Sequence, residues 1–236
     1  MTLEIHRSAD RGGFDHGWLN ARHSFSFGGY HDPARMGFRS LRVMNEDRVQ
    51  PGTGFDWHGH RDMEIVTYVL SGELEHKDST GGGGILRHGD VQHMSAGSGV
   101  MHSERNPSTT EELHLLQIWI VPSEAGLQPS YEDRRFEAES LSDRLAPIAA
   151  GDGRDGALRI RADVVVHAGL LSQGARVTHE LAAGRHTYIQ VARGGIRVDG
   201  LELAAGDAVS GGAGSAAKSL EIEALESSEL LLFDLA

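Results

Sequence analysis

Short apolar stretches separated by glycine turns repeat along most of the chain, and this arrangement limits the fold more than any other feature of the sequence. Glycine accounts for 31 of the 236 residues, and the glycines lie between the apolar stretches, not in one linker. Because glycine tolerates the positive φ of tight turns, this distribution indicates many turns joining many short strands. The alternation of helices and strands that an α/β fold needs is not seen. We therefore predict an all-β protein made of barrels or sandwiches.

The strand pattern occurs twice, with a different segment between the two copies. The stretch from Pro122 to Pro147 is polar and contains further prolines, which is typical of a connection between domains. Before it, VLSGELEHKD at 69–78 gives a strand, a glycine turn and a second strand, and VARGGIRVDGLEL at 191–203 repeats this order. We predict two β domains of one type, residues 1–133 and residues 134–236. Of the 14 histidines, 11 lie at or before His114, which indicates that the two domains have different tasks.

Composition excludes several classes of function. With 22 basic and 34 acidic residues, the formal net charge is 22 − 34 = −12, which disfavours direct binding to nucleic acid. Cysteine is absent, so disulfides, thiolate metal ligands and a cysteine nucleophile are excluded. The sequence has no apolar run of about 18 residues and no visible secretory signal. We predict a cytoplasmic protein, a monomer, that does not contact membranes.

The segment WHGHRDMEIVTYVLSGELEHKD at 57–78 carries an unexplained pair of histidines. Its β-branched residues on either side of Ser71–Gly72 predict a hairpin. His58 and His60 stand at i and i+2, so a strand would present both on one face, about 7 Å apart. The pair is compatible with a polar strand face that meets water and equally with half of a metal site.

A second pair at the same spacing supplies the other half of such a site. His102 and Glu104 lie in SGVMHSERN on a later predicted strand. Three imidazoles and one carboxylate suit first-row divalent metals such as Fe(II), Mn, Ni, Cu or Zn. Four protein ligands in an octahedral sphere leave two positions open, as a catalytic metal requires. Glu64 is a second candidate carboxylate, and spacing alone leaves the metal site and its carboxylate undecided.

Residue identities around these pairs resemble a known family. His58, His60 and Glu64 have the His-x-His-x3-Glu layout of the cupins, and the sequence more narrowly resembles the pirin family over about residues 12–137. The motifs that carry the second resemblance are GWLNARHSFSF, MGFRSLRVMNEDRV, HGHRDMEIVTYVLSGELEHKDS and GDVQHMSAGSGVMHSERN. The resemblance implies a bicupin, which is two double-stranded β-helix (jelly-roll) barrels with metal only in the N-terminal one. It implies the ligands His58, His60, His102 and Glu104, and it favours Glu104 over Glu64.

The resemblance also implies an activity. Pirin-like quercetinases are metal-dependent dioxygenases that open the ring of a flavonol such as quercetin with O2 and release carbon monoxide. We expect one divalent transition metal per chain, Fe(II) before Mn, Ni, Cu, Co or Zn, with Glu104 as catalytic base and Val66, Tyr68 and Met94 along the wall of the pocket. Two other functions stay open: a metal- or redox-sensing regulator that acts through a protein partner, and a cupin enzyme with a different small-molecule substrate.

The remaining histidines are predicted to lie outside the site. We interpret His93 as a partly exposed side chain, and we interpret His76, His88 and His114 in the same way.

Overall fold

The structure, a computed structural model, describes residues 2–236 and has 22 strands in that range. The first twelve strands lie between residues 3 and 135, with a 3-10 turn at Ser8–Asp10 between the first and second of them. They are β1 (Leu3–His6), β2 (Gly12–Asp15), β3 (Leu19–His23), β4 (Leu41–Val49), β5 (Gly54–His60), β6 (Glu64–Ser71), β7 (Glu73–Asp78), β8 (Gly83–Arg87), β9 (Asp90–Ser95), β10 (Val100–Arg105), β11 (Leu113–Ile120) and β12 (Ser130–Arg135).

The rest of the chain adds one short helix, one 3-10 turn at Arg154–Gly156 and ten strands. They are α1 (Ala138–Leu141), β13 (Ala146–Ala150), β14 (Leu158–Arg159), β15 (Val164–Leu171), β16 (Arg176–Leu181), β17 (His186–Arg193), β18 (Gly195–Val198), β19 (Leu201–Ala204), β20 (Ala208–Gly212), β21 (Lys218–Ala224) and β22 (Ser228–Leu235). The prediction of an all-β protein is confirmed. Within residues 2–236, no helix has the length and apolar character that crossing a bilayer requires.

The chain forms two compact units. The first, here called the N-terminal unit, comprises residues 11–135 and 160–162. It has a seven-stranded sheet in the order β12-β9-β6-β11-β4-β3-β2 and a four-stranded sheet in the order β5-β10-β7-β8. Val69 and Leu115 of the larger sheet pack against Leu74 and Leu86 of the smaller one in a buried cluster. The two sheets therefore enclose a core between their facing surfaces.

The second, here called the C-terminal unit, comprises the described residues 2–10, 136–159 and 163–236. Among residues 2–236, it repeats the same plan with a seven-stranded sheet (β1-β20-β17-β22-β15-β13-β14) and a four-stranded sheet (β16-β21-β18-β19). Its core contains Val191, Leu203, Leu220 and Leu232. The division of the chain differs from a single cut at 133/134, because β1 pairs with β20 through Leu3 and Gly211. The stretch from 122 to 147 also carries a paired strand, since β12 runs antiparallel to β9.

The predicted hairpin at Ser71–Gly72 is wrong. β6 pairs with β9 and β11 in the seven-stranded sheet, whereas β7 pairs with β8 and β10 in the four-stranded sheet. Gly72 carries the chain from one sheet to the other with φ +79°, and a Cβ there would lie 2.5 Å from the carbonyl oxygen of Glu112. Glycine is needed at this corner because both the φ and the space exclude a side chain.

Candidate metal centre

The predicted histidine ligands meet on the inner face of the four-stranded sheet. β5 and β10 are antiparallel neighbours, and His58 lies directly opposite His102. Because side chains two residues apart share a face, His60 projects on the same side as His58. Their ring centroids lie 4.4 Å apart for His58 and His102 and 4.8 Å apart for His60 and His102. One ring nitrogen from each of the three lies within 4.8 Å of the other two.

Glu104 lies two residues after His102 on β10, and the pairing with β5 shifts register between these two residues. It forms a second group with His76 and His102, whose candidate ligand atoms also lie within 4.8 Å of one another. The carboxylate is buried and accepts hydrogen bonds from Gln117 Nε2 at 2.9 Å and from Thr67 Oγ1 at 3.4 Å. The two groups overlap at His102, so the four predicted ligands lie along one continuous cluster.

The ring nitrogens are arranged as a metal site needs them. His58 Nδ1 lies 2.7 Å from the carbonyl oxygen of Asp56, which orients that nitrogen as the donor and leaves Nε2 unprotonated. His102 Nε2 is buried and has no hydrogen-bond partner among residues 2–236. Burial, with the neighbouring His58, lowers the pKa of His60 to about 4. Burial, with His58 and His60 beside it, lowers the pKa of His102 to about 2.

Neutral imidazoles with free lone pairs are the form that binds metal. Burying a ring nitrogen without a hydrogen-bond partner costs free energy unless a ligand binds to it. The donor set, three imidazoles with a carboxylate beside them, therefore fits a divalent first-row transition metal.

Glu64, the alternative carboxylate, is engaged elsewhere. Its Oε2 accepts from His93 Nε2 at 2.8 Å and from the backbone amide of Arg161 at 2.9 Å, and its Oε1 accepts from the Ser95 hydroxyl at 2.6 Å. Burial alone would raise the pKa of Glu64, but the hydrogen bonds from His93 and Ser95 and the charge of His93 hold it below its ordinary value. Thr67 of the same strand reaches Glu104, so the side chain of Glu64, three residues earlier, belongs to the opposite face of β6.

Three of the four histidines expected to be partly exposed are buried. His93 is 2% exposed and pairs with Glu64, and His114 is 5% exposed and lies 2.9 Å from Glu46 Oε1. His76 is fully buried beside His102. Those interpretations are wrong because each histidine has a carboxylate partner, and the interaction offsets the free-energy cost of burying the imidazole. Of these three histidines, only His76 carries a sequence signal that could have indicated its burial near the site. His76 and Asp78 stand at i and i+2, which is the spacing of the candidate ligand pairs.

Two of the three residues expected along the pocket wall point away from it. Val66 and Tyr68 lie on the face of β6 that carries Glu64, opposite to Thr67. Met94 does lie on the inner side, in a cluster with Ile65 and the partly buried Trp119.

The wall that faces the histidines is aromatic. The ring of Trp119 lies 4.7 Å from that of His60, and Phe27 packs edge-on against Trp119 at 5.1 Å. Trp119 Nε1 is buried and has no hydrogen-bond partner within residues 2–236. An indole nitrogen only donates, so Trp119 adds an aromatic ring and one unused donor to this side of the cluster.

Comparisons with known proteins relate the whole chain to one family. Two family models match the chain, Pirin over residues 4–120 and the quercetinase C-terminal cupin domain over residues 147–235. A protein of Escherichia coli (strain K12) named quercetin 2,3-dioxygenase, an oxidoreductase, is 43% identical over 233 residues, which are 99% of this chain and 98% of that protein. A pirin-like protein of Caulobacter vibrioides is 43% identical over 229 residues, which are 95% of this chain and 96% of that protein.

A solved structure gives the same relationship. The bacterial pirin YhhW of Escherichia coli, in complex with nickel(II), has a TM-score of 0.93 and 41% identity, with 99% of each chain covered. The two cupin domains expected from the sequence are confirmed by the two family models and by the nearly all-β structure. The chain belongs to the pirin family.

Proposed function

We propose that this protein is a metal-dependent dioxygenase that opens the ring of a flavonol such as quercetin. One observation carries the proposal: three imidazoles each offer a ring nitrogen within 4.8 Å of the other two, and His102 also has a buried Nε2 without a hydrogen-bond partner among residues 2–236. The relative named quercetin 2,3-dioxygenase, which matches almost the whole chain, supports the choice of reaction. His58, His60, His102 and Glu104 would hold the metal.

We propose Fe(II) as the metal of this chain. Imidazole and carboxylate donors also suit nickel, which occupies the related bacterial pirin, and Mn, Cu, Co and Zn. When bound, such a cation supplies Lewis acidity, which stabilises the 3-hydroxylate form of a flavonol and fixes its position. Both clusters that can hold a metal, among residues 2–236, lie in the N-terminal unit, so we propose one metal per chain and none in the C-terminal unit.

Glu104 is proposed as the base that takes the proton of the substrate hydroxyl. Its carboxylate is oriented by Gln117 Nε2 and Thr67 Oγ1, which are both neutral donors in this arrangement. These two hydrogen bonds hold the carboxylate in place, and its remaining lone pairs are free to accept the substrate proton. Burial keeps bulk water from competing for that proton.

The residues around the cluster suit a flat polyphenol. The ring of Trp119 offers an apolar face, and its unused Nε1–H is available to a substrate oxygen. Asn45 and Gln92 have side-chain oxygens that are buried and unpartnered within residues 2–236. Both lie on the inner face of the seven-stranded sheet, since Asn45 pairs with Gln117 and Gln92 pairs with Thr67. A flavonol with several hydroxyl groups supplies an aromatic surface and the donors that these acceptors lack.

Anaerobic reconstitution tests the proposal. Metal-free protein is loaded with Fe(II), or with Ni(II) in a parallel sample, and mixed with quercetin in oxygenated buffer while flavonol absorbance, O2 and CO are followed. We expect turnover by the wild-type protein, its loss in His58→Ala and His102→Ala, and its retention in His88→Ala, which removes an exposed histidine. Retained metal with no turnover on any flavonol would reject the proposal and favour a metal-sensing regulator or a different substrate.

The remaining predictions concern the environment of the protein. We propose a cytoplasmic monomer that does not bind nucleic acid directly, because cysteine is absent and the net charge is −12. Cell fractionation, light scattering on the purified protein and a nucleic-acid binding assay at low salt test these three statements.

A further inference from the structure

Behind His102, on the side away from His58, lies a buried chain of two further side chains on β7. His76 and Asp78 stand opposite Glu104 and His102 respectively in the antiparallel pairing of β7 with β10. His76 Nδ1 lies 3.4 Å from His102 Nδ1, and His76 Nε2 lies 3.4 Å from Asp78 Oδ2. The side chains of both residues are fully buried.

The carboxylate of Asp78 is fixed by other donors. Its Oδ1 accepts from the backbone amide of Thr80 at 2.7 Å, from the Thr80 hydroxyl at 2.6 Å and from the amide of Gly82 at 3.0 Å. Only Oδ2 is left to face His76. The ring of Tyr131 stacks on that of His76 at 4.8 Å with an angle of 13°, which fixes the plane of the imidazole.

The positions of the protons follow from which groups can donate. An ionised carboxylate only accepts, so the hydrogen of His76 lies on Nε2, facing Asp78. A neutral imidazole carries one hydrogen, so His76 Nδ1 is then an acceptor. Because it faces another Nδ1, the hydrogen between them belongs to His102. That leaves the lone pair of His102 on Nε2, the buried atom without a partner among residues 2–236.

We propose that Asp78 and His76 are positioning residues that hold His102 in the tautomer with its hydrogen on Nδ1, so that Nε2 is free to bind the metal. The inference rests on the proposed function in taking His102 as a ligand. Groups that accept the second ring N–H of a ligand histidine fix its orientation and tautomer, and their loss commonly weakens metal binding by about 10- to 100-fold.

The substitution Asp78→Asn tests the direction of the chain. The side-chain oxygen can keep the bonds from Thr80 and Gly82, while the new NH2 group faces His76 and donates to its Nε2. His76 must then carry its hydrogen on Nδ1 and donate to His102 Nδ1, which forces the hydrogen of His102 onto Nε2. We expect Ni(II) to bind about 10- to 100-fold more weakly in a competition titration with a chelator.

The substitution His76→Gln is the conservative counterpart. Its amide can donate to Asp78 and accept from His102, so we expect Ni(II) affinity within about threefold of wild type. His76→Leu, which offers no acceptor, should lose affinity as Asp78→Asn does. Glu75→Gln makes the same carboxylate-to-amide change on β7, where the side chain pairs with the exposed Lys77, and it should leave affinity unchanged. Thermal unfolding of each variant checks that it is folded, and if Asp78→Asn is not, the comparison of Gln with Leu at residue 76 decides.

The tautomer itself is read without metal or substrate. In the metal-free protein labelled with ¹⁵N-histidine, two-bond ¹H–¹⁵N correlations should show His102 protonated on Nδ1 in the wild-type protein and on Nε2 in Asp78→Asn. Protonation of wild-type His102 on Nε2, or unchanged Ni(II) affinity in folded Asp78→Asn, would overturn this inference alone. Failure of the wild-type protein to bind any divalent metal would instead count against the proposed function.

Discussion

Replacing Glu64 with alanine separates two roles that the sequence spacing assigns to one residue. Glu64 has the position of the carboxylate ligand in the general cupin motif, but its oxygens are hydrogen-bonded to His93, Ser95 and the amide of Arg161. We therefore expect Glu64→Ala to keep its metal and lose stability. Glu104→Ala should instead lose the metal and keep more of its stability, because Glu104 lies beside His102 in the proposed site.

The size of the stability loss follows from the contacts. Glu64 is 1% exposed, and its removal leaves a buried imidazole, a buried hydroxyl and a backbone amide without their acceptor. Breaking a buried, hydrogen-bonded pair by removing one partner costs about 3–5 kcal/mol. In a protein of this length that free energy corresponds to a fall in Tm of about 10 °C.

The assay is thermal unfolding together with metal analysis of protein reconstituted with Ni(II). Glu46→Ala is the matched control, because Glu46 lies on β4 of the same sheet and is likewise hydrogen-bonded to a histidine, His114, at 2.9 Å. Glu46 also accepts from the guanidinium of Arg11 at 2.7 Å. Both Glu64→Ala and Glu46→Ala should be destabilised and hold one metal per chain. A folded Glu64→Ala protein that binds no metal, beside a Glu104→Ala protein that binds it normally, would refute the assignment.

Three further substitutions test the surroundings of the site. Burial, with the charge of Glu104 beside it, raises the pKa of Asp47 from 3.8 to about 7, so metal-free wild-type protein should lose stability as pH rises through that window. In denaturant unfolding, Asp47→Asn should remove this loss of stability. Its effect on the free energy of unfolding should be more favourable near pH 8 than near pH 4 by up to about 4 kcal/mol, and an equal effect at both pH values would contradict the prediction. Trp119→Phe keeps the aromatic wall and removes the unused Nε1–H; in steady-state kinetics KM should rise about 3- to 10-fold with kcat nearly constant, and an unchanged KM would exclude that donor. Gln117→Leu removes the 2.9 Å bond to Glu104, and chelator competition should show Ni(II) affinity about tenfold weaker, whereas equal affinity would mean that Glu104 is not oriented by Gln117.

The all-β class, and the placement of each candidate ligand pair on one strand face, could be predicted from the sequence because both depend on local spacing. Glycine turns separate the strands, and the pairs at i and i+2 place His58 with His60 and His102 with Glu104 on shared faces. The facing of β6 could not be predicted in this way. Residues 64–70 are all buried, so the strand has apolar residues on both faces and no period-2 signal. The expectation that Val66 and Tyr68 line the pocket failed for this reason.

Contacts between distant segments account for the other differences. A glycine corner that moves the chain between sheets has the same local sequence as a hairpin turn, so the local sequence around Gly72 does not distinguish the two. His93 and Glu64 are 29 residues apart, and only the pairing of β6 with β9 brings them within 2.8 Å. The closeness of His76 to His102 likewise depends on the register of β7 against β10.

The stoichiometry of the reaction tests the central claim most directly. Metal-free protein loaded with one equivalent of Fe(II) is supplied with quercetin in a closed cell, and quercetin loss, O2 consumption and CO release are measured together. A flavonol dioxygenase whose metal is held by His58, His60, His102 and Glu104 should consume one O2 and release one CO for each quercetin. His102→Ala should abolish all three changes. Wild-type protein that holds its metal and leaves quercetin and O2 unchanged would contradict the account.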